Sequence, residues 1–487
     1  MAENIAPRLF EFNGGGSDKF WIIELNSKSH TVRYGRQGTD GQTKTKDFGS
    51  EEEARKSYDK LVGQKTKKGY VEAASADESR GAQLKATQAD LKEQEPFLAE
   101  IRDNPDDLGT YAVFADWLEE KGDPRGEFMN IQLQLEDESL KAADRKKRQT
   151  REAELLKEHE REWLGDLAPF LLDKNKSQID YRAGNLYEYR FARGFMESLT
   201  VHYLLPEFSK VLKKSPHTGM LRELRLRVIP CGEELVEELE EQYGDKEWDD
   251  DDSPSFDALG GAEFPNLRHF EIDEDDEPSR EYPSCHIRAA GVGRLLKKMP
   301  RLETLILEAH EVDTEAVFKT KMPHLKSLTV NHMDNYPIDV LAKNKSLTNL
   351  ESIWFYPHGL DYDDEPYIQL DDVKAICRSK NLTSLKHLAL YASTSGNEGI
   401  AELIDSGMLG RLKTLDMRWG AVTDEGAERL AAADLSGLES LTLSQNYMTA
   451  AGVKALKGTG VTLSAGEQND GAPSDDDAEY LFMGDPE

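Results

Sequence analysis

Residues 412–417 read LKTLDM and residues 438–443 read LESLTL, and the pattern that these two stretches share decides the fold. The same spacing, L-x-x-L-x-L with other large apolar residues in some places, begins at residues 221, 267, 302, 325, 350 and 385, and MESLTV at 196 is a weaker first copy. From residue 302 onward the copies begin 23, 25, 35, 27 and 26 residues apart. Alternating apolar residues predict a short strand with one buried face, and segments between copies, such as Asp424 to Ala433, have a helical pattern.

This pattern resembles the leucine-rich repeat, which has a period of ~20–29 residues. The resemblance implies an α/β fold in which residues 191–463 stack into a leucine-rich-repeat solenoid with helices on its convex side. Because side chains alternate along a strand, the residues between the leucines then form columns on the concave face. One column is Ile306, Thr329, Trp354, Ala389, Asp416 and Thr442, and the next is Glu308, Asn331, Tyr356, Tyr391, Arg418 and Ser444.

Aromatic and arginine side chains gather in one part of these columns. The residues concerned are Trp354, Tyr356, Tyr391 and Arg418, with Trp419 just beyond. Exposed Trp, Tyr and Arg are the residue types that most often anchor protein interfaces, so we predict a protein-binding site here. The alternative is that a loop, such as residues 358–366, covers Trp354 and its neighbours.

The first 75 residues have a different pattern. KFWIIEL at 19–25 alternates as a half-buried strand, and TVRYGR at 31–36 follows after a short turn. Asp40-Gly41 predicts a hairpin turn, because Gly accepts the positive φ that such turns need. Ser50, followed by three glutamates, is typical of a capping box that begins a helix. The inner stripe of that helix is Ala54, Tyr58, Leu61 and Val62.

Together these features resemble the WGR domain, a small antiparallel β-sheet with one helix. In poly(ADP-ribose) polymerases the Trp and Arg of its motif contact a DNA end, and these positions fall here on Tyr34 and Arg36. The resemblance therefore implies a nucleic-acid surface made of Tyr34, Gly35, Arg36, Lys44 and Lys46. Tyr in place of Trp offers a smaller stacking surface, and the rest of the sequence does not resemble the polymerase catalytic domain. The alternative is that Tyr34 belongs to the core, with Arg36 at its rim.

Between these two regions, residues 115–128 read ADWLEEKGDPRGEF. This string resembles the bacterial repeat-companion domain, a short helical domain found beside repeat arrays, and the resemblance implies no chemistry. We predict a WGR-like domain at 1–75, a linker at 76–92, and the helical domain with a charged helix at 93–190. An acidic tail at 464–487 follows the repeats.

Charge divides the chain unevenly. The formal net charge is −32, but residues 1–75 hold 13 Lys or Arg and 11 Asp or Glu, so the remainder carries −34. A chain this acidic repels polyanions at long range, so nucleic acid is expected to bind through residues 1–75 only. Two acidic stretches, Glu233 to Asp252 and Glu271 to Glu281, are predicted to be solvated loops, and the alternative is a docking patch for a basic partner.

No arrangement of residues indicates catalysis, a metal site or a cofactor. Three cysteines, Cys231, Cys285 and Cys377, are too sparse for a disulfide framework and are predicted to be buried thiols. His310 and His358 are interpreted as loop residues. No signal peptide or membrane span is evident, so we expect a cytoplasmic protein. The sequence thus predicts a non-enzymatic scaffold that holds a protein partner, with a DNA-associated factor as the alternative; the oligomeric state stays open.

Overall fold

The computed structural model describes residues 4–14, 17–36, 42–68, 70–72, 92–173, 185–202, 206–227, 259, 261–273, 288–289, 291–309, 311–332, 336–357 and 368–471. The chain divides into two compact units, Met1–Glu100 and Ile101–Glu487. Each unit is mixed α/β, and each is described separately below.

The first unit is a small antiparallel sheet with one long helix. Its strands lie in the order β4-β3-β2-β1-β5 and all neighbouring pairs are antiparallel. The elements are β1 Asn4–Gly14, β2 Ser17–Asn26, β3 Ser29–Arg36, β4 Gln42–Asp47, α1 Glu51–Lys67 and β5 Val71–Glu72. The predicted helix start is confirmed, since the Ser50 hydroxyl accepts a hydrogen bond from the Glu53 backbone N–H at 3.2 Å.

The core of this unit is built from one face of the strands and the inner stripe of α1. Its buried residues are Phe10, Trp21, Ile23, Leu25, Ala54 and Tyr58. Trp21, Ile23 and Leu25 alternate along β2, as period two requires of a strand with one buried face.

Helices open the second unit. They are α2 at residues 92–103, which continues from the first unit, α3 Leu108–Glu120, α4 Pro124–Leu135 and α5 Ala142–Leu164. The charged helix predicted within residues 93–190 is α5. Asp107 caps α3, because its carboxylate accepts a hydrogen bond from the Gly109 backbone N–H at 3.0 Å.

A large sheet of 11 strands follows, with the order β18-β17-β16-β15-β14-β13-β11-β9-β8-β7-β6 among the described residues. The first pair, β6 and β7, is antiparallel, and every later pair is parallel. The strands are β6 Tyr187–Ala192, β7 Phe195–Val201, β8 Glu223–Arg227, β9 His269–Asp273, β11 Thr304–Glu308, β13 Ser327–His332, β14 Ser352–Pro357, β15 His387–Leu390, β16 Thr414–Asp416, β17 Ser440–Thr442 and β18 Thr462–Ser464. β10 Arg288–Ala289 and β12 Glu311–Val312 form a separate parallel pair.

Short helices connect consecutive strands of the large sheet. They are α6 Pro206–Leu212, α7 Val292–Leu296, α8 Thr314–Lys319, α9 Ile338–Lys343, α10 Leu370–Arg378, α11 Gly396–Asp405, α12 Asp424–Ala432 and α13 Ala450–Lys457. Single helical turns lie at Gly165–Leu167, Pro169–Asp173, Pro216–Gly219 and Leu409–Arg411. The leucines of the sequence pattern face these helices and are buried with them in one continuous core, as Leu328 on β13 and Leu441 on β17 are.

The loop between α2 and α3 is attached to the starts of three successive strands of the large sheet. Arg222, just before β8, donates from Nη1 to Asp106 Oδ1 at 3.0 Å. Arg268, just before β9, donates to the other carboxylate oxygen of Asp106. Arg301, shortly before β11, donates from Nη2 to the Asp103 backbone oxygen at 2.5 Å. One arginine from each of three consecutive strand–helix repeats therefore holds the loop between α2 and α3 to the sheet.

One predicted loop is wrong in part. The acidic stretch from Glu271 to Glu281 was expected to be a solvated loop, but Glu271 and Asp273 lie in β9 and are buried. Both carboxylates are paired with Arg227 of the neighbouring strand, and this ion pairing replaces the hydration that a buried charge would otherwise lack. Other predictions fall outside the described residues, namely Asp40-Gly41, Glu233 to Asp252, 274–281, Cys231, Cys285, His310, loop 358–366 with His358, the linker up to residue 91 and tail residues 472–487.

Candidate functional site

On the face of the large sheet opposite the leucines, the strand register confirms the first predicted column, and the second column from Glu308 to Tyr356. Trp354 is paired with Thr329 on one side and with Ala389 on the other. The same column continues through Asp416 to Thr442. In the second column Asn331 lies beside both Glu308 and Tyr356. We call this surface the non-core face.

Aromatic rings form a continuous group on the non-core face. Trp354 and Tyr356, both on β14, have ring centroids 6.3 Å apart and ring planes only 19° from parallel. The edge of Tyr356 then meets Tyr391, with centroids 4.2 Å apart and planes 82° apart. The Trp354 indole N–H donates to the Ser352 hydroxyl at 2.7 Å, which holds the orientation of the indole. Trp354 and Tyr356 are half-buried, so part of each ring stays accessible.

Asp416 joins the group to Arg418. The Arg418 guanidinium donates to both oxygens of the Asp416 carboxylate, from Nη2 to Oδ2 at 2.6 Å and from Nε to Oδ1 at 3.1 Å. Its carbon Cζ also lies 4.7 Å from the centre of the Tyr391 ring, within cation–π range. The Tyr391 hydroxyl donates to Asp416 Oδ2 at 3.3 Å. Trp354, Tyr356, Tyr391, Asp416 and Arg418 are called the aromatic cluster below.

The prediction that Tyr391 is an exposed contact residue is wrong. Tyr391 is only 8% exposed, because the Tyr356 ring and the Arg418 guanidinium lie against it. Burial raises the pKa of Tyr391, and the negative charge of Asp416 raises it further, so its phenol stays neutral at physiological pH. Burial raises the pKa of Tyr356 as well. Tyr391 supports the cluster from within, while Trp354 and Tyr356 are its accessible rings.

Trp419 lies beyond Arg418 in an unusual backbone conformation. Its φ is +60°, in the left-handed region that non-glycine residues rarely adopt, and its backbone N–H donates to the Ser444 oxygen at 3.1 Å. The side chain is half-buried, and its indole N–H has no hydrogen-bond partner among the described residues. Trp419 therefore adjoins the aromatic cluster without a polar contact to it.

A second group of charges lies toward the first strands of the same sheet, where sequence reasoning did not expect it. The Arg227 guanidinium on β8 donates to Glu271 Oε1 at 2.5 Å and to Asp273 Oδ2 at 2.9 Å. His269 Nε2 is 2.7 Å from the other Glu271 oxygen. Burial alone would raise the pKa of Glu271, but the hydrogen bond from His269 and the charge of Arg227 outweigh it and lower the pKa to about 2. The Arg225 guanidinium also donates from Nε to Glu271 Oε2 at 3.2 Å, so both carboxylates of this group are bonded to arginines of β8.

In the first unit, the structure describes most of the predicted nucleic-acid surface. Tyr34 on β3 is paired with Trp21 on β2, and its ring is half-buried against the core of the unit. Lys44 and Lys46 are exposed on the edge strand β4, and the Lys46 ammonium is 5.2 Å from the centre of the Phe48 ring. Gly35 and the Arg36 backbone continue β3, while the Arg36 side chain lies outside the described residues.

One basic residue of this unit was missed from the sequence. The Lys65 ammonium on α1 lies 4.4 Å from the centre of the Tyr70 ring and 5.4 Å from that of Trp21. Burial lowers the pKa of Lys65, and the positive charges of Lys68 and Lys19 lower it further. The helical spacing from Leu61 places residue 65 on the inner stripe, and this spacing could have revealed it.

Other chemistry is sparse in the described part of the chain. Within those residues, no group of three or more His, Cys, Asp and Glu side chains is arranged to hold a metal ion. Burial raises the pKa of the Cys377 thiol to about 11, so it stays protonated and unreactive at neutral pH. None of the helices described is both long and apolar enough to cross a membrane.

The fold of the first unit, a five-stranded antiparallel sheet packed on one helix, defines a small β-sheet module. The WGR domain family matches residues 7–77, so this part of the chain is a WGR domain.

Two curated proteins of Escherichia coli (strain K12) are similar to part of the chain. The uncharacterized protein YfeS is 41% identical over 65 residues, which is 13% of this chain and 27% of YfeS. The protein YehF is 34% identical over 118 residues, which is 23% of this chain and 42% of YehF. The chain thus spans less than half the length of each of these relatives.

A solved structure also matches over most of its length. A crystal structure of a Bacteroides fragilis protein is 19% identical and covers 96% of this chain and 97% of that one, with a TM-score of 0.37.

Proposed function

We propose that this protein is a non-enzymatic scaffold that holds a protein partner on the concave face of a leucine-rich-repeat solenoid. The observation that carries the proposal is the pair of accessible rings on β14, Trp354 and Tyr356, stacked side by side on a parallel sheet. Large aromatic side chains in defined positions give contact area at a small loss of side-chain entropy, which is why they anchor interfaces. The regular parallel register of β8 to β18 and the buried leucines support the solenoid.

The arrangement around the two rings favours binding over catalysis. The nearby Asp416 carboxylate accepts hydrogen bonds from both Arg418 and the Tyr391 hydroxyl, so it is not poised to accept a proton in catalysis. Trp354 is oriented by Ser352, so its ring needs little reorganisation when a partner docks.

The test is capture of a partner by the full chain and by a Trp354→Ala/Tyr356→Ala variant. We expect the variant to lose at least about tenfold in the affinity for the captured protein, as hot-spot residues do. Thr442→Ala is the matched control, because Thr442 lies in the same column as Trp354 three strands away. Circular dichroism checks that both variants stay folded. Equal affinity of the double variant and the control would contradict the proposed site.

A second function is supported by the WGR domain. We propose that this domain docks the protein on DNA through Tyr34, Arg36 and the lysines around them. The observation in its favour is the concentration of positive charge around Lys65, because Lys68, Lys19 and the Tyr34 side chain all lie within electrostatic reach of it. Clustered lysines with aromatic rings beside them suit a phosphate backbone and its terminal bases.

This proposal is tested by titrating the full chain with a blunt duplex and a nicked duplex at several salt concentrations. We expect salt-dependent binding that is lost in Tyr34→Ala and Arg36→Ala, with Lys343→Ala of the second unit as the control. Absence of binding at low salt would instead support the interpretation of Tyr34 as a core residue and contradict the proposal.

A further inference from the structure

The three rings of the aromatic cluster are not equivalent toward cations. The Tyr391 ring has the Arg418 guanidinium over it at 4.7 Å. Trp354 and Tyr356 lie next to it with nearly parallel rings, and no lysine or arginine of the described residues lies over either of them. The face thus binds one guanidinium from its own chain and leaves two further π surfaces without a cation.

The contact already present defines what this face offers to a guanidinium. Arg418 is stacked on a ring and, at the same time, donates from its edge to the Asp416 carboxylate. A planar guanidinium can do both at once, because its face stacks while its N–H groups point outward in the ring plane. A lysine ammonium is not planar, so it cannot stack on a ring and donate from its edge to a carboxylate at the same time as well as a guanidinium does.

Polar groups lie near the two uncovered rings as well. Asn331 on β13 is adjacent to Tyr356 in the register, and its side-chain oxygen is buried without a hydrogen-bond partner among the described residues. Glu308 on β11 is adjacent to Asn331 and adds a negative charge on the same side. The strands beside the two rings therefore contribute a negative charge, as Asp416 does beside Tyr391.

We propose that Trp354 and Tyr356 form a receptor site for an arginine side chain of a basic partner. This inference rests on the proposed scaffold function and specifies the chemistry of its partner. Charge supports it at long range, since the chain outside residues 1–75 carries a net −34, which attracts basic segments and repels acidic ones. The arginine stacks over the Trp354 and Tyr356 rings, and the negative charge of Glu308 supplies further attraction.

The experiment uses the full chain labelled with ¹⁵N and three pentapeptides that have arginine, citrulline or lysine between glycines. Citrulline has nearly the shape of arginine without the charge, and lysine has the charge without the plane. The chain has six tryptophans, so the indole N–H region of the spectrum has few signals, and Trp354→Phe assigns the one of interest. We expect the arginine peptide to shift the Trp354 indole signal, and citrulline to bind at least about tenfold more weakly, since the cation–π contact and the attraction to Glu308 both need the positive charge.

Two variants test the site from opposite directions. Trp354→Ala should weaken arginine binding by about tenfold. Asn331→Asp adds a negative charge beside the rings and should strengthen it several-fold, a result that damage to the fold would not produce. Ser444→Ala, on the same face at the level of Arg418, should leave the affinity unchanged.

Equal binding of the arginine and citrulline peptides, or of the arginine and lysine peptides, would overturn the inference. So would arginine binding that persists in Trp354→Ala, because the contact would then lie elsewhere on the acidic surface. Partner capture that depends on Trp354 without arginine selectivity would leave the scaffold function standing while the inference fails. Selective arginine binding at Trp354 without any effect of the double variant on partner capture would support the site and contradict the scaffold function.

Discussion

The WGR domain and the large sheet both combine aromatic rings with basic side chains, but they treat positive charge differently. On the large sheet, Arg227 and Arg418 are each bonded to carboxylates of the same face. In the WGR domain, Lys44 and Lys46 are exposed and make no ion pair among the described residues, and Lys65 is placed against rings near other lysines. A paired cation stabilises the fold, whereas an unpaired cation stays available to an external anion.

The largest effect is expected from removing a paired cation. Arg227→Leu leaves Glu271 and Asp273 buried without their common partner, which should lower the free energy of unfolding by about 3–5 kcal/mol. Denaturant unfolding followed by circular dichroism measures the loss. Arg429→Ala is the matched control, since its pair with Glu425 is exposed and contributes little. If Arg227→Leu lowers the free energy of unfolding no more than Arg429→Ala does, the paired arginines of the large sheet do not stabilise the fold and the contrast with the WGR domain fails.

Acid should reveal the same pairing. The pKa of Glu271 is lowered to about 2 in the folded chain, so its contribution to stability is present above the ordinary carboxyl pKa near 4.5 and is lost as pH falls toward 2. Relative to Glu271→Gln, the wild type should lose on the order of 1–2 kcal/mol more stability across that interval, after allowance for solvent screening. Unfolding midpoints of both proteins from pH 6 to pH 2 measure the difference, and parallel curves would contradict the assignment.

The unpaired cations are tested by charge reversal. Lys44→Glu with Lys46→Glu should weaken duplex binding by about tenfold and lower the slope of log affinity against log salt by about 2, because two phosphate contacts are lost. Stability should stay nearly unchanged, since both side chains are exposed. Fluorescence anisotropy at several salt concentrations makes the measurement, with Lys454→Glu on α13 as the control. An unchanged slope would mean that these lysines do not meet the phosphates.

The smallest effect concerns the interior of the aromatic cluster. Tyr391→Phe removes the hydroxyl that donates to Asp416 while Arg418 still neutralises that carboxylate, so the cost should be about 0.5–1.5 kcal/mol. Thermal unfolding measures the cost. If Tyr391→Phe is as stable as the wild type, the Asp416 carboxylate is stabilised by Arg418 alone.

Much of the architecture could be predicted because it follows from local periodicity. The leucine spacing gave the strands of the large sheet and their side-by-side register from Ile306 to Thr442, since each unit repeats the one before it. Ser50 and the glutamates after it predicted the start of α1 to the residue. These features depend on neighbours a few residues apart or on repetition, and both are visible in a sequence.

The chemistry of the candidate site was less predictable, because burial depends on which side chains lie on neighbouring strands. Tyr391 is buried by Tyr356, 35 residues earlier in the sequence, and by Arg418, 27 residues later. The pairing of Arg418 with Asp416 has a local signal in the sequence, since the two residues have opposite charges and lie two positions apart. The contact of Asp106 with Arg222 and Arg268 spans more than 100 residues and leaves no local trace.

That contact also has a consequence for how this protein can change length during evolution. Asp106 bonds the arginines just before β8 and β9, and the Asp103 backbone oxygen bonds the arginine before β11. An extra strand–helix repeat inserted between β8 and β11 would therefore move at least one of these arginines away from the loop. At the other end, no strand among the described residues lies outside β18. Duplication or loss of strand–helix repeats is therefore expected to be tolerated from β17 onward, beyond both this loop and the aromatic cluster, so paralogues should vary in length at the carboxyl-terminal end.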